Sequence, residues 1–497
     1  MKRLASSAVW ISLVLAVLLN LRQVGYLAVP QNRYMLHWRS LDAGVMILAI
    51  LASAGVVFAV HEGLDRLPRG LGRRWRSPWL TAVALTGGIA TASYLDVSSD
   101  VLFWIWLAGL MGLVLPAAFF DAKIHASWIR AGAVFAPVAL VTFAQIAWWE
   151  SWVDGPEELV APIERDADAV PVYVFLFDEW SVPESVRGAA FRPELEHLNA
   201  LARTSITFRQ AHSPAADTEV SLPHLLFERN SEWTLEKASG RAWWQRGGEV
   251  VPTQESANLF EPFTRAGYHT VLVGYYLPYR RLLGDEIDVI RTRPHVPTGR
   301  GWLDGFVSRW LESARFVVGP GRRPFFLESY KSRYSRYWFE IRGEVEREVH
   351  SVIDTWPRDT FLFSHWPIPH APFVFEADGS YRGPFEGGRT DGTSADYARS
   401  LANVDRVVGD LVAKLRANGR FDDSLLILTS DHGWKKRDAM PLWVPLIVKW
   451  PNQREGMIVE GRFPTLALPG LLEGVARGRR GIGFALRYIS EHRDFDG

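Results

Sequence analysis

The run "PVYVFLFDE" (171–179) is β-branched and aromatic almost throughout, then turns abruptly acidic. A short apolar run of this kind is the signature of a strand buried on both faces. Similar runs recur as "HTVLVGYY" (269–276), "TFLFS" (360–364), "SLLILTS" (424–430) and "VPLIVKW" (444–450). Helical spacing fills the gaps: "RPELEHLNALAR" (192–203), the stretch after Thr218, and "SADYARSLANVDRVVGDLVAKLRANG" (394–419). The last of these closes on a glycine stop signal. Strands alternating with helices predict an α/β domain whose mainly parallel sheet is covered by helices.

Toward the N-terminus the texture changes. "ESWVDGPEELVAPIERDADAV" (150–170) is acidic, contains Pro and Gly, and reads as a linker. Before it, segments 4–21, 43–60, 77–95, 101–120 and 131–149 are free of Asp, Glu, Lys and Arg. Each is close to the ~20 residues that cross a bilayer as a helix. The sequence therefore predicts a bundle of about five transmembrane helices over 1–150, a linker over 151–170 and a catalytic domain over 171–497. The first span reads as an uncleaved anchor rather than a signal peptide, because no small-x-small cleavage site follows its apolar core.

Charge orients the bundle. One side carries Lys2, Arg3, Arg66, Arg69, Arg73, Arg74, Arg76, Lys123 and Arg130, and the other only Arg22, Arg33 and Arg39. The positive-inside rule puts everything after the fifth span on the outer, periplasmic or extracellular, side of the cytoplasmic membrane. Trp148, Trp149 and Trp152 fit an aromatic belt at that exit. Lys+Arg and Asp+Glu both number 55, so charge points to no nucleic-acid partner. With no cysteine, disulfides, thiolate metal sites and a cysteine nucleophile are excluded. The basic, aromatic segment 309–342 reads as a solvated helical face. The sequence leaves the oligomeric state open.

In open α/β sheets ligands bind beyond the carboxyl ends of the strands. Asp178 and Glu179 follow the first run; Asp431, His432 and Gly433 follow "SLLILTS"; His365 and His370 follow "TFLFS". Taken singly, each also reads as a turn former, a cap or a hydrogen-bonded structural histidine. Gathered at one edge they make a divalent-metal site, whose mixed oxygen and nitrogen donors suit zinc or manganese ahead of magnesium or calcium. One more stretch belongs with them. "AHSPAADTEVSLPHLLFER" (211–229) puts the Thr218 hydroxyl where a helix begins. There it serves either as an N-cap or as a nucleophile at the helix's positive end.

In order, "VFLFDEW", "AHSPAADTEVSLPHLLFER", "HWPIPHAPF", "LTSDHGW" and "VPLIVKWPNQ" resemble the alkaline phosphatase/sulfatase superfamily, over roughly 171–474. Apolar spans followed by an outer domain look like the membrane-anchored phosphoethanolamine transferases and lipoteichoic acid synthases. The resemblance implies Asp178, Glu179, Asp431 and His432 as metal ligands and Thr218 as the nucleophile. It implies His370 and His365 as contacts to the phosphate or sulfate, and Lys435, with Lys436 and Arg437, adds positive charge nearby. It further implies a phospho-group transferase, of phosphoethanolamine or phosphoglycerol type, acting on envelope phospholipid or glycan. The alternatives are a phosphodiesterase or phosphatase of sulfatase-like fold and a non-catalytic membrane relative. Two departures stand out. The formylglycine motif Cys/Ser-x-Pro-x-Arg is replaced by Thr218, Val220 and Leu222, which argues against sulfate hydrolysis by that route. Residues 434–443 also lack the further histidine that many relatives carry there.

Overall fold

The computed structural model describes residues 8–20, 40–67, 74–92, 108, 112–113, 121–150, 162, 169–188, 190–227, 233–235, 242–246, 249–277, 279–284, 287–293, 325–385, 392–435 and 442–493. The chain forms two compact units, Met1–Gly155 with Pro297–Lys331, and Pro156–Val296 with Ser332–Gly497.

In the first unit lie α1 (Ala8–Asn20), α2 (Ser40–Arg66), α3 (Arg76–Ala92) and α4 (Asp121–Glu150). Ile11, Leu15, Val57, Leu80 and Val83 form a buried cluster, with Trp79 and Trp128 packed against it. Asn20 Nδ2 donates to Ser53 Oγ at 3.3 Å, and Trp128 Nε1 donates to Thr81 Oγ1 at 3.1 Å. Among the described residues, one helical stretch is long and apolar enough to cross a membrane, Gly44–Arg66, with 23 residues and a mean hydropathy of 2.2. The expected bundle of five spans is therefore not confirmed. Among the described residues α1 covers Ala8–Asn20 and α3 covers the 17 residues Arg76–Ala92, while α4 opens with Asp121, Lys123 and Arg130 and has Val134–Ala144 as its apolar stretch. Of the span expected at 101–120, only residues 108, 112 and 113 are described, and Trp152 lies outside the described residues.

The second unit is built on an eight-stranded sheet. Its strands are β1 (Val172–Phe177), β2 (Ile206–His212), β3 (His269–Tyr275), β4 (Val289–Arg293), β5 (Thr360–Trp366), β6 (Leu425–Thr429), β7 (Leu446–Lys449) and β8 (Met457–Pro464). In these labels the order across the sheet is β8-β2-β7-β6-β1-β5-β3-β4. β1 pairs in parallel with β5 and β6, β5 with β3, and β3 with β4, whereas β7 runs antiparallel to both β6 and β2. Two antiparallel steps restore direction, so β2 points the same way as β6. Every residue of β1, β3, β5 and β6 is buried, the condition that makes continuous apolar runs stable there.

Around the sheet lie α5 (Glu196–Ala202), α6 (Thr218–Phe227), α7 (Phe325–Thr355), α8 (Ser394–Ala417), α9 (Leu468–Ala476) and α10 (Ile482–His492). α7 buries Tyr334, Trp338, Ile341, Val345, Val349 and Val352, a stripe at three- and four-residue spacing. α8 starts in a reciprocal capping box between Thr393 and Asp396. It buries Tyr397, Leu401, Val404, Val408, Leu411 and Leu415. Strands β2, β4 and β8 were not expected from the sequence. The other five match the apolar runs.

Candidate metal centre

Because the central strands are parallel, their carboxyl ends open on one edge. Leu176 of β1 stands level with His365 of β5 and Thr429 of β6, so Asp178 and Asp431 leave the sheet side by side. α6 follows β2 to the same edge. Asp217 O accepts from Val220 N at 3.0 Å and Ser221 N at 2.7 Å, which makes Thr218 the first helical residue. Ser221 Oγ donates to Asp431 O at 2.6 Å and ties this helix to the turn after β6.

The donors converge. Thr218 Oγ1 donates to Asp431 Oδ2 at 2.6 Å and lies 3.2 Å from His432 Nε2, so its hydroxyl faces the site rather than capping its own helix. His432 Nε2 is 3.4 Å from Asp431 Oδ2 and 3.7 Å from Asp178 Oδ1. His365 Nε2 is 3.8 Å from Asp178 Oδ2. Backbone N–H groups of Glu179 (3.2 Å) and His432 (2.9 Å) fill Asp431 Oδ1, which leaves Oδ2 toward the site. His432 Nδ1 lies 2.8 Å from Gly433 O; donating there commits Nε2 to be the free, basic nitrogen.

Among the described residues, two buried atoms in this group have no hydrogen-bond partner, Asp178 Oδ1 and His365 Nε2. Buried orphans are costly unless something fills the space between them. Donor atoms of Asp178, His365 and Asp431 lie within 4.8 Å of one another. These two carboxylates and the His365 imidazole, with His432 Nε2 beside them but outside that group, fit a divalent cation of the zinc or manganese type.

The charges carry the same message. Burial, with the Asp431 charge beside it, pushes the Asp178 carboxyl up to about 7. Burial also opposes ionisation of Asp431, yet His432, His365 and the hydrogen bond from Thr218 bring it below the usual range. For His432 burial is outweighed by Asp431 and Asp178, and its pKa rises. Burial takes His365 down to about 4, so its ring is neutral at physiological pH. Two buried carboxylates that cannot both ionise comfortably are relieved by a cation between them.

The other expected residues divide. Glu179 is held at φ 61°, a conformation uncommon for a residue with a side chain. Its carboxylate lies 4.0 Å from His370 Nε2 and it stands outside the Asp178–His365–Asp431 group. His365, expected on the substrate, is instead fully buried within that group, because it still belongs to β5 rather than to the loop beyond. His370 and Lys435 line a cavity of about 550 Å³ together with Asp178, Glu179, Thr218, Glu219, Tyr275, Tyr276, Trp338 and Trp434. Lys435 Nζ pairs with Asp217 at 2.6 Å. Lys436 and Arg437 lie outside the described residues.

Sequence reasoning missed the tyrosines. Tyr275, at the end of β3, donates to Asp178 Oδ2, and Tyr276, at φ 70°, donates to Glu219. Tyr279 OH lies 2.8 Å from His365 Nδ1. Asking what ends each strand would have flagged Tyr275, but nothing in a phenol announces metal chemistry. Tyr397 was also invisible. Its hydroxyl donates to Glu179 O (2.7 Å), accepts from Ser181 N (3.0 Å), and its ring stacks on Trp434 at 4.4 Å.

Comparisons with known proteins show what this chain is similar to. The Sulfatase family model matches residues 303–460, a stretch that holds His365, His370, Asp431 and His432. The multifunctional alkaline phosphatase superfamily protein PehA of Trinickia caryophylli is 23% identical over 394 residues, covering 61% of this chain and 73% of its own. Human bis(5'-adenosyl)-triphosphatase ENPP4 is 22% identical over 201 residues, covering 37% of this chain and 41% of its own. Among solved structures, the phosphonate monoester hydrolase of Agrobacterium radiobacter aligns with a TM-score of 0.38 at 17% identity, over 61% of this chain and 74% of that one. These similarities support the alkaline phosphatase/sulfatase superfamily for this chain. Its relatives support an enzyme of the sulfatase and phosphatase kind.

Proposed function

We propose that this protein is a membrane-anchored, metal-dependent enzyme that cleaves phosphate esters through a covalent intermediate on Thr218. The observation that carries the reading is the Thr218 hydroxyl, 2.6 Å from Asp431 and 3.2 Å from His432, at the mouth of inward-facing donors. Asp178, His365, Asp431 and His432 would hold a divalent cation, which would supply positive charge to ease ionisation of that hydroxyl and to offset charge on the phosphoryl oxygens. Thr218 Oγ1 bonds to phosphorus, its proton passing along the hydrogen bond to Asp431, while the ester's P–O bond breaks. The departing alkoxide takes a proton from the cavity side, where His370 stands beside Glu179. In the second half an incoming hydroxyl gives its proton to the His370 side and bonds to phosphorus as the Oγ1–P bond breaks, and Thr218 recovers its proton from Asp431.

The incoming hydroxyl decides the class. An alcohol makes the enzyme a transferase of phosphoethanolamine or phosphoglycerol type on envelope lipid or glycan; water makes it a phosphodiesterase. Similarity to ENPP4, a bis(5'-adenosyl)-triphosphatase, favours water. A cavity of about 550 Å³ accommodates a headgroup-sized ester in either case. Intact-mass measurement after incubation with a phosphodiester and graded glycerol or ethanolamine separates the two: transfer yields alcohol-linked product, and hydrolysis yields only the free phosphoester. No mass addition at Thr218 under any condition would sink the covalent route. Absence of bound metal in both wild type and Asp431→Ala would leave a non-catalytic scaffold instead.

Anchoring rests on α2 and on exposed apolar side chains, Leu48, Leu51 and Val56 on α2 and Val134, Val138 and Val141 on α4. Such surfaces fit lipid better than water. The proposal keeps the catalytic unit outside, on the basic-residue asymmetry counted across the five apolar segments of the sequence. Protease added to intact cells is expected to cut that unit; full protection would reverse the orientation.

A further inference from the structure

We infer that Tyr275 and Tyr279 are the positioning residues of the metal centre, each engaging one donor atom of a ligand so that the other faces the cation. The inference rests on the metal reading above and concerns how affinity is set. A carboxylate offers two oxygens and an imidazole two nitrogens. In Asp178, Oδ2 is taken by the Tyr275 hydroxyl, and the atom left without a partner is Oδ1. In His365, Nδ1 is taken by Tyr279 OH at 2.8 Å, and the atom left without a partner is Nε2. With Nδ1–H donating to the phenol oxygen, the Nε2 lone pair is the one directed inward.

The phenols are rigid. Tyr275 and Tyr279 are both fully buried. The Tyr275 ring is set edge-on to Trp338, with centroids 5.6 Å apart, and lies 4.6 Å from the His365 ring. Tyr276, at φ 70°, turns the chain between β3 and the short helix Tyr279–Leu283, so that both phenols return to one place. Gly274 makes the fit possible: a Cβ there would stand 3.1 Å from Tyr279 Cε2 and 3.2 Å from His365 Cβ. Outer partners of this type typically change metal affinity by about 10–100-fold when removed.

The test is calorimetric titration of the full-length protein with zinc and with manganese, for wild type, Tyr275→Phe, Tyr279→Phe and Tyr268→Phe. The last removes a buried phenol that bonds Val170 O, away from the donors. Tyr275→Phe and Tyr279→Phe are each expected to weaken binding about 10–100-fold, with Tyr268→Phe at the wild-type value. The visible absorption of the cobalt-substituted protein is expected to change in the first two only, a response that a general loss of packing does not produce. Unfolding midpoints of the metal-free proteins check that the variants fold; if Tyr275→Phe does not, Tyr279→Phe carries the measurement. Wild-type affinity and an unchanged cobalt spectrum in the two site variants overturn the inference while leaving the metal centre standing. A wild-type protein that binds neither ion removes the metal reading, and this inference with it.

Discussion

Thr218 directs its hydroxyl at Asp431 and His432, and the proposed nucleophilic role rests on that hydrogen-bond choice. Thr218→Ala is expected to lower turnover by about three orders of magnitude or more, with metal content near wild type; steady-state rates and metal analysis check both halves. Proton linkage gives a second expectation. Metal-free Asp178 holds its proton up to about 7 when folded, against a reference of 3.8. Its contribution to metal-free stability is therefore full below pH ~4 and is lost as pH rises through about 7. His365, lowered to about 4, works in the opposite sense between there and 6.5. The cation needs the ionised carboxylate, so affinity is expected to rise with pH up to about 7 and then level off, falling below that by up to about tenfold per unit. Manganese titrations at pH 5.5, 6.5 and 7.5 measure it, and a flat profile contradicts the assignment. At this scale the acids and imidazoles were legible because they follow apolar runs. The division of labour between Glu179 and His365 was not, because it depends on where β5 stops.

Elements explain why some residues announce themselves. β1, β3, β5 and β6 are buried on both faces and read as unbroken apolar stretches. β2 mixes buried and half-buried positions, and β8 is largely exposed, so "ITFRQAH" and "MIVEGRFP" carry polar residues that hide them. The antiparallel pairing of β7 was likewise invisible, since side-chain burial does not record strand direction. Two substitutions probe this level. Gly274→Ala in β3 crowds Tyr279 and His365 and is expected to destabilise by about 1–3 kcal/mol, measured by denaturant unfolding. Lys449 in β7 is buried, and its ammonium donates to the carbonyls of Phe421, Asp422 and Ser424. Lys449→Met leaves those acceptors without their donor and is expected to cost about 2–4 kcal/mol. No change in midpoint would show that water replaces it.

At the scale of the whole molecule, a cation held by the proposed donors would join segments that lie far apart along the chain, so binding is expected to stabilise the fold as well as the site. Metal at about 100 times its dissociation constant adds about 2.7 kcal/mol, and chelation followed by calorimetric unfolding reads the difference. The same long separations govern assembly. β1 begins at Val172, yet its sheet neighbours are Phe361 on one side and Leu425 on the other. At about 5–20 residues per second of synthesis, the strand waits tens of seconds on the ribosome with both edges bare. A nascent chain stalled before β6 would display an apolar ribbon open to pairing with any neighbour, which makes this protein a natural client for holding chaperones during its own translation.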